Sequence, residues 1–259
     1  MIQTDIVFRI DDRERVRDRV VDMASSDPRV VAGAALGSLA HAEGDRWSDL
    51  DLMFAVADDV PVAEVLEAWS LTLVREFEVV KLFDLPSGPI IYRVFLLPGC
   101  LELDLSFTPE SEFGAGGPKF KLLFGESVEI PEEPPSPANE LFGYAVHHAL
   151  HARVAIERGR YWQAEYWISA VRDYALNLAC RRRGLDGWYG KDFDRLPAEV
   201  VGPLNDALVR SLDQGELRRA LSSAVTGLLR ESAEVGEMAE KVESQLRELA
   251  SGMDVLGER

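Results

Sequence analysis

Two aspartates separated by one residue, Asp49 and Asp51, open the apolar run at positions 50–56. Alternate residues of a strand point to the same face, so the two carboxylates would lie side by side at its start. Neighbouring carboxylates repel each other, and a divalent cation relieves that repulsion by binding their oxygen atoms. The pair therefore predicts a divalent-cation site at the beginning of this strand.

A third acid, Asp104, stands in a second apolar run, at positions 101–107, where apolar and polar residues alternate strictly. Carboxylates on neighbouring strands can hold Mg²⁺ against the phosphates of a nucleoside triphosphate. Glu102 shares the face of Asp104. We interpret Glu102 as a general base for a substrate hydroxyl or a ligand for a substrate amine, with a simple solvated acid as an equal alternative.

A glycine and a serine, Gly37 and Ser38, end the small-residue run at 30–36, and ten residues separate Ser38 from Asp49. Glycine lets the backbone approach phosphates without an intervening Cβ atom, and serine offers a hydroxyl and an amide. We therefore expect both residues to contact the nucleotide. A plain turn followed by two solvent-facing acids is the alternative.

Gly37-Ser38, the spacing, the Asp49/Asp51 pair and the downstream Asp104 together resemble the signature of the polymerase-β-type nucleotidyltransferase superfamily. With helices after it, the chain is most similar to aminoglycoside and lincosamide nucleotidyltransferases. The resemblance implies an enzyme that moves a nucleoside monophosphate, AMP from ATP or another triphosphate, to a hydroxyl of a small molecule. It also implies Mg²⁺ held by Asp49, Asp51 and Asp104.

Two further positions enter through this resemblance. Relatives that modify aminoglycosides use a lysine of the helical domain to bind the triphosphate. Lys191 in Gly190-Lys191-Asp192 is the candidate here, and an ordinary surface lysine is nearly as good an interpretation. The sequence departs from many relatives at His41 and Ala42, where they carry arginine and then glycine. A neutral histidine contacts phosphate less well than a guanidinium, so we expect weaker triphosphate binding.

The chain divides at a segment with four prolines, residues 126–138. Residues 1–125 alternate short apolar runs with helical patterns, which predicts a mixed sheet with helices. Strands are predicted at 30–36, 50–56, 78–83, 90–97 and 101–107, and helices at 11–24 and 62–76. Residues 139–259 show only helical periodicity and predict an all-α bundle, with helices near 140–158, 164–183, 197–211, 216–231 and 233–250. The predicted fold class is α+β.

The composition limits the partners. The 259 residues include 28 Lys and Arg against 45 Asp and Glu, a net charge of −17, which argues against a nucleic-acid partner and suits a cationic small-molecule acceptor. Residues 1–25 lack the apolar stretch of a signal peptide, and no apolar run is long enough for a membrane helix. We therefore expect a cytoplasmic protein with reduced core thiols at Cys100 and Cys180. The sequence leaves the oligomeric state open.

Two other functions remain open: a nucleotidyltransferase that adenylylates a protein, as in toxin–antitoxin pairs, and a non-catalytic nucleotide-binding module of the same fold. The histidines His147, His148 and His151 are expected to cap, pack or lie on the surface, because no other ligand type stands nearby in the sequence. The tryptophans Trp162, Trp167 and Trp188 are expected in the core or in a cleft wall, although stacking on a nucleobase is an alternative.

Overall fold

The computed structural model describes residues 7–41, 45–116, 119–131 and 134–251. The chain folds as two compact units, residues 1–133 and 134–259. The first unit is a mixed sheet with helices, and the second is helical throughout its described residues. The predicted α+β class is confirmed. Within the described ranges, no helix combines the length and the apolar character needed to cross a bilayer.

The first unit is built around one six-stranded sheet with the strand order β3-β4-β5-β2-β1-β7. Strands β2 and β5 are parallel, and the other neighbours in this sheet are antiparallel. Strands β6 and β8 form a separate parallel pair. The elements are α1 (Ile10–Ser26), β1 (Val30–Leu36), β2 (Leu50–Val56), α2 (Val62–Phe77), β3 (Val80–Ser87), β4 (Ile90–Leu97), β5 (Leu101–Pro109), β6 (Gly114–Ala115), β7 (Phe120–Phe124) and β8 (Val128–Glu129).

The two helices of this unit cover one face of the large sheet. Val16 of α1 and Trp69 of α2 join Leu52 of β2 in a single buried apolar cluster. Because side chains alternate along a strand, the neighbours of Leu52, Asp51 and Met53, point to the opposite face. Met53 belongs to a second, smaller cluster on that side. The apolar pattern of β2 thus places Asp51 on the sheet face away from α1 and α2.

Strand β3 differs from its predicted range of 78–83 at both ends. Glu78 adopts a left-handed conformation with φ of 54° and ends α2, so the strand begins at Val80. At the other end β3 continues through Pro86 to Ser87. A proline cannot donate to a ladder, and β3 accepts it because it is the edge strand of the sheet.

Two predictions about the first half of the chain are wrong. Val128 and Glu129, expected in the linker, pair with Gly114 and Ala115 as β8 and β6. Cys100, expected in the core, is exposed in the turn between β4 and β5, where it has φ of 60°. A left-handed turn residue stands at the tip of a hairpin, and the apolar surroundings of Cys100 in the sequence belong to the strands on either side. Cys180 is buried as expected.

The second unit contains α3 (Ala138–Glu157), α4 (Tyr161–Arg181), α5 (Ala198–Asn205), α6 (Gln214–Arg230) and α7 (Glu237–Ser251). Helices α3 and α4 pack closely because the buried face of α3 carries small residues, among them Ala145, Ala149 and Ala152. Gly184, with φ of 64°, follows the last turn of α4 as expected for a helix stop. Helix α5 ends at Asn205, six residues before the predicted end.

Candidate active site

The centre of the candidate site is a pair of carboxylates on parallel strands. Asp51 of β2 lies directly opposite Asp104 of β5 in the ladder that joins the two strands. Neighbouring strands are about 4.8 Å apart, and residues opposite each other point to the same face. Both side chains are partly buried on the face away from the helices. Two of the three predicted acids are therefore neighbours across the sheet.

Asp104 is the acid whose ionised form this arrangement disfavours. Its Oδ1 atom is buried and has no hydrogen-bond partner among the described residues. Burial raises the pKa of the Asp104 carboxyl to about 6, and the charges of Glu102 and Asp49 add to the effect. Asp49, which directly precedes β2, therefore lies close enough to act on Asp104 electrostatically.

The three acids do not form a closed cluster. In the part of the chain that the structure describes, no group of three or more His, Cys, Asp or Glu side chains could hold a metal ion. The structure thus brings Asp51 and Asp104 together and puts Asp49 beside them without a ready-made three-carboxylate site. The roles of Asp49, Asp51 and Asp104 as Mg²⁺ ligands stay a prediction.

Gly37 leaves space for a neighbouring carboxylate, a role that the sequence did not indicate. It starts a short 3₁₀ turn, Gly37–His41, and has φ of 63°, which favours glycine. A Cβ atom at this position would collide with Oδ2 of Asp51. Glycine therefore makes room for the Asp51 carboxylate. The side chain of His41 and the whole of Ala42 lie outside the described residues.

Ser38 contributes to the loop that precedes the aspartates. Its hydroxyl lies 3.1 Å from that of Ser48. The Ser48 hydroxyl in turn accepts a hydrogen bond of 3.0 Å from the backbone amide of Asp45. Ser38 is thus tied to the segment that leads into Asp49 and β2, and its predicted contact with a phosphate stays a prediction.

Arg13 is a site residue that the sequence analysis missed. It is 4% exposed, and its Nη1 atom donates to the carbonyl oxygens of Asp45 at 2.6 Å and Ser48 at 3.0 Å. These two bonds hold the loop ahead of Asp49. A signal was present in the sequence, because Arg13 shares the core face of α1 with Val16 and Val20, where an arginine is out of place unless its charge has partners.

A cavity of about 870 Å³ opens beside Asp51, between α1 and the sheet. Its volume lies within the range of small-molecule sites. The cations Arg13, Arg17 and Lys121 line it, together with several acids of α1. Lys121, which no sequence pattern singled out, stands on β7 opposite Ala35 of β1. Ala35 belongs to the apolar cluster under the helices, so Lys121 and this cavity lie on the helix side of the sheet, whereas the side chains of Asp51 and Asp104 point to the other side.

The remaining predicted positions lie apart from this centre or play other parts. Glu102 is exposed on β5, one pleat before Asp104. Lys191 belongs to the second unit, where its Nζ atom lies 3.7 Å from the Asp186 carboxylate. Its predicted contact with a triphosphate stays a prediction. Trp162 is exposed and not in the core, because its side chain stands on the outer face of the first turn of α4.

The three histidines pack against aromatic neighbours. The rings of His147 and His151 lie 4.3 Å apart on α3, and His148 lies 4.8 Å from the Trp167 ring. Burial lowers the pKa of His148, and the two neighbouring histidines lower it further.

No family model matches the sequence, and no curated protein matches it. Among solved structures, the chain is similar to the crystal structure of an aminoglycoside 6-adenyltransferase from Bacillus subtilis. The likeness has a TM-score of 0.37 and 15% sequence identity, over 92% of this chain and 98% of that chain. A likeness of this degree adds no weight to the assignment of the site, which depends on the side chains described above.

Proposed function

We propose that this protein is a Mg²⁺-dependent nucleotidyltransferase. It moves a nucleoside monophosphate, AMP from ATP, to a hydroxyl group of a small molecule and releases pyrophosphate. The observation that carries the proposal is the register of Asp51 opposite Asp104. Gly37 supports it, because the lack of a Cβ atom there leaves space for the Asp51 carboxylate. Two acids in register on one sheet face are unfavourable for stability alone, which supports a functional reason for them.

The donor atoms at this centre suit Mg²⁺, which prefers carboxylate oxygens. Asp51 and Asp104 would hold the ion, with Asp49 as the third ligand. Oδ1 of Asp104 is buried and finds no hydrogen-bond partner in the described part of the chain, and a bound cation would satisfy it. When bound, Mg²⁺ supplies charge neutralisation to the phosphates and orients them for in-line attack.

The chain's own residues have distinct parts in this proposal. Glu102, exposed on the face of Asp104, accepts the proton of the acceptor hydroxyl at its carboxylate as the oxygen attacks the α-phosphorus atom. Arg13 orients the loop before Asp49 through the two carbonyl oxygens that it binds. Lys191 is the cation proposed to meet phosphate oxygens.

The side chains beside Asp104 indicate which class of acceptor this site favours. Across the sheet, Asp104 lies opposite Val94, and Val94 lies opposite Phe83 on the edge strand. Phe83 is 48% exposed, so the face beside the carboxylates ends in open apolar surface. Of the two antibiotic classes implied by the resemblance, this surface favours an acceptor with an apolar part, such as a lincosamide, over a polycationic aminoglycoside.

A second candidate is a non-catalytic nucleotide-binding module of the same fold. The observation that favours it is the lack of a closed three-acid group among the described residues. Such a module would bind ATP for regulation and release no pyrophosphate. The two candidates differ in a measurable product.

Calorimetric titration with ATP and Mg²⁺, followed by a pyrophosphate-release screen over aminoglycosides, lincosamides and metabolites, separates them. We expect Mg²⁺-dependent ATP binding and release with one acceptor class. Asp51→Asn should reduce turnover by on the order of 10²–10³-fold or more, with little change in stability. Asp59→Asn, at an exposed acid in the loop after β2, is the matched control and should be silent. ATP binding without release would favour the regulatory module, and no ATP binding would contradict both.

A further inference from the structure

The helical unit contains a cavity of about 570 Å³ that the proposed function does not use. Its walls come from the first turns of α3, the second half of α4 and the segment 185–189. Four aromatic rings line it, those of Tyr144, Tyr174, Trp188 and Tyr189. A cavity of this volume with a few polar groups among apolar ones is typical of a small-molecule site.

The four rings form two pairs. Tyr144 and Tyr174 are stacked, with ring centroids 5.7 Å apart and 16° between the planes. Trp188 and Tyr189 meet edge to face at 5.1 Å. Trp188 is 66% exposed and Tyr189 is 87% exposed. Large rings left in water forgo the stabilisation of burial, and adjacent exposed rings at the mouth of a cavity indicate a ligand that covers them.

The segment that carries Trp188 and Tyr189 is ordered by specific bonds. Oδ1 of Asp186 accepts a hydrogen bond of 2.9 Å from the amide of Trp188, and Oδ2 of Asp192 accepts one of 2.8 Å from the amide of Asp186. Tyr189 has φ of 52°, a strained value for a residue with a side chain. The strained backbone of Tyr189 costs conformational energy, and the hydrogen bonds of the segment hold both rings at the cavity. A loose surface loop would not need to adopt a strained conformation.

The charges around the cavity leave one carboxylate unbalanced. Arg181 pairs with Glu234 at 3.3 Å, and Asp186 pairs with Lys191 at 3.7 Å. Glu140, in the first turn of α3, has no hydrogen bond or ion pair to its side chain within the described ranges. The cavity therefore combines aromatic faces, which carry negative partial charge, with one free negative charge.

We propose that this cavity binds an organic cation, an ammonium group attached to a ring. An ammonium within about 6 Å of an aromatic face is attracted by the ring quadrupole, and the attraction grows when water is excluded. Glu140 supplies the opposite charge, and the stacked tyrosines supply a flat surface for the ring of the ligand. The proposal uses only residues of the second unit and does not depend on the transfer reaction.

Three probes that share one benzene ring test the proposal on the full chain: benzyltrimethylammonium, benzyl alcohol and benzoate. We expect calorimetry to detect binding of the cation, at least about tenfold weaker binding of the alcohol and none of benzoate. AMP serves as a fourth probe, because a nucleobase platform would prefer it to the cation.

Matched variants locate the site. Trp188→Leu should weaken binding of the cation by about tenfold, whereas Trp162→Leu, at an exposed tryptophan outside the cavity, should leave it unchanged. Glu140→Gln should weaken binding of the cation by about fivefold and leave that of benzyl alcohol unchanged. Glu199→Gln, also at an exposed acid in the first turn of a helix, is its control. Circular dichroism of each variant checks the helical fold.

Equal affinity for the cation and the alcohol would overturn the proposal, as would failure of the cation to bind or tighter binding of AMP that requires Trp188. Binding that survives both Trp188→Leu and Glu140→Gln would place the cation elsewhere and also overturn it. Asp51→Asn, which removes transfer under the proposed function, should leave the affinity for the cation unchanged. Failure of the enzymatic assignment is therefore distinguishable from failure of this one.

Discussion

Gly37 lies so close to Asp51 that a single added carbon at its Cα would collide with the aspartate's Oδ2. The glycine that starts the short turn and the carboxylate on the neighbouring strand therefore depend on each other sterically. The φ of 63° at Gly37 adds a second reason for glycine. Steric room and backbone conformation can be separated experimentally.

Gly37→Ala should displace the Asp51 carboxylate and weaken Mg²⁺-dependent ATP binding by at least about tenfold, since a preorganised charge loses its position. Gly88→Ala is the matched control, because Gly88 has φ of 57° and nothing within 4 Å of an added Cβ atom. Both variants should lose about 1 kcal/mol of stability from the left-handed backbone. Calorimetry with ATP should separate them, and equal ATP affinities would refute the link between Gly37 and Asp51.

Asp104→Asn should stabilise the protein while it abolishes transfer. The folded-state pKa of about 6 lies above the value of 3.8 for an unperturbed aspartate, so folding opposes ionisation of this group. The resulting penalty grows as the pH rises from about 4 to 6 and is complete above that. Urea unfolding at pH 8 should show the variant about 1–2 kcal/mol more stable, with the gain lost near pH 4. A variant less stable than the wild type at pH 8 would contradict this account.

The ion pair of Asp84 with Arg93 should govern part of the acid sensitivity. Arg93 is buried on β4, and its Nε donates to Asp84 at 2.6 Å. Hydrogen bonds from Arg93 lower the pKa of Asp84 to about 2, burial opposes this shift, and a hydrogen bond from Lys81 adds to it. A lowered folded-state pKa means that this stabilisation is present above about pH 4 and lost as the pH falls toward 2.

Asp84→Asn should therefore cost about 2 kcal/mol at pH 7 and almost nothing at pH 2. Lys81→Gln removes the exposed partner and should cost less than about 0.5 kcal/mol. Chemical unfolding across the pH range measures both. A loss that is independent of pH would mean that packing, and not the ion pair, is at stake.

Arg13→Met should disturb the site more than the fold. It removes two hydrogen bonds to the loop before Asp49 and keeps the apolar stem, so we expect a loss of about 1–3 kcal/mol. Turnover should fall more than ten-fold relative to Arg15→Met, at an exposed arginine of the same helix. Arg13→Lys should recover part of the turnover, since a charged nitrogen donor remains at this position. Unchanged kcat in Arg13→Met would remove Arg13 from the site.

Patterns along the chain predicted the parts of the fold where local and tertiary preferences agree. The strict alternation at 101–107 predicted β5 with Asp104 on the polar face, and the structure has Leu103 and Leu105 buried on either side. The long apolar stripes predicted α3 and α4 within three residues at each end. These elements bury one face, and burial imposes the period that the sequence shows.

Features that depend on a distant partner were not predictable. Strand β7 carries exposed Leu122 and Leu123 without alternation, and it exists because its backbone pairs with β1. The position of Arg13 on the apolar face of α1 indicated a buried charge but not its partners, which are backbone carbonyls more than thirty positions away. The register of Asp51 with Asp104 likewise follows from tertiary pairing, which periodicity alone does not specify.

The parallel pairing of β2 with β5 has a consequence for the order in which the molecule assembles. Parallel neighbours cannot be joined by a tight turn, and here α2, β3 and β4 lie between the two strands in the chain. During synthesis, β1 and β2 can pair early, but Asp51 has no carboxylate opposite it until β5 has emerged. The candidate site therefore forms only through a long-range contact, late in the folding of its unit.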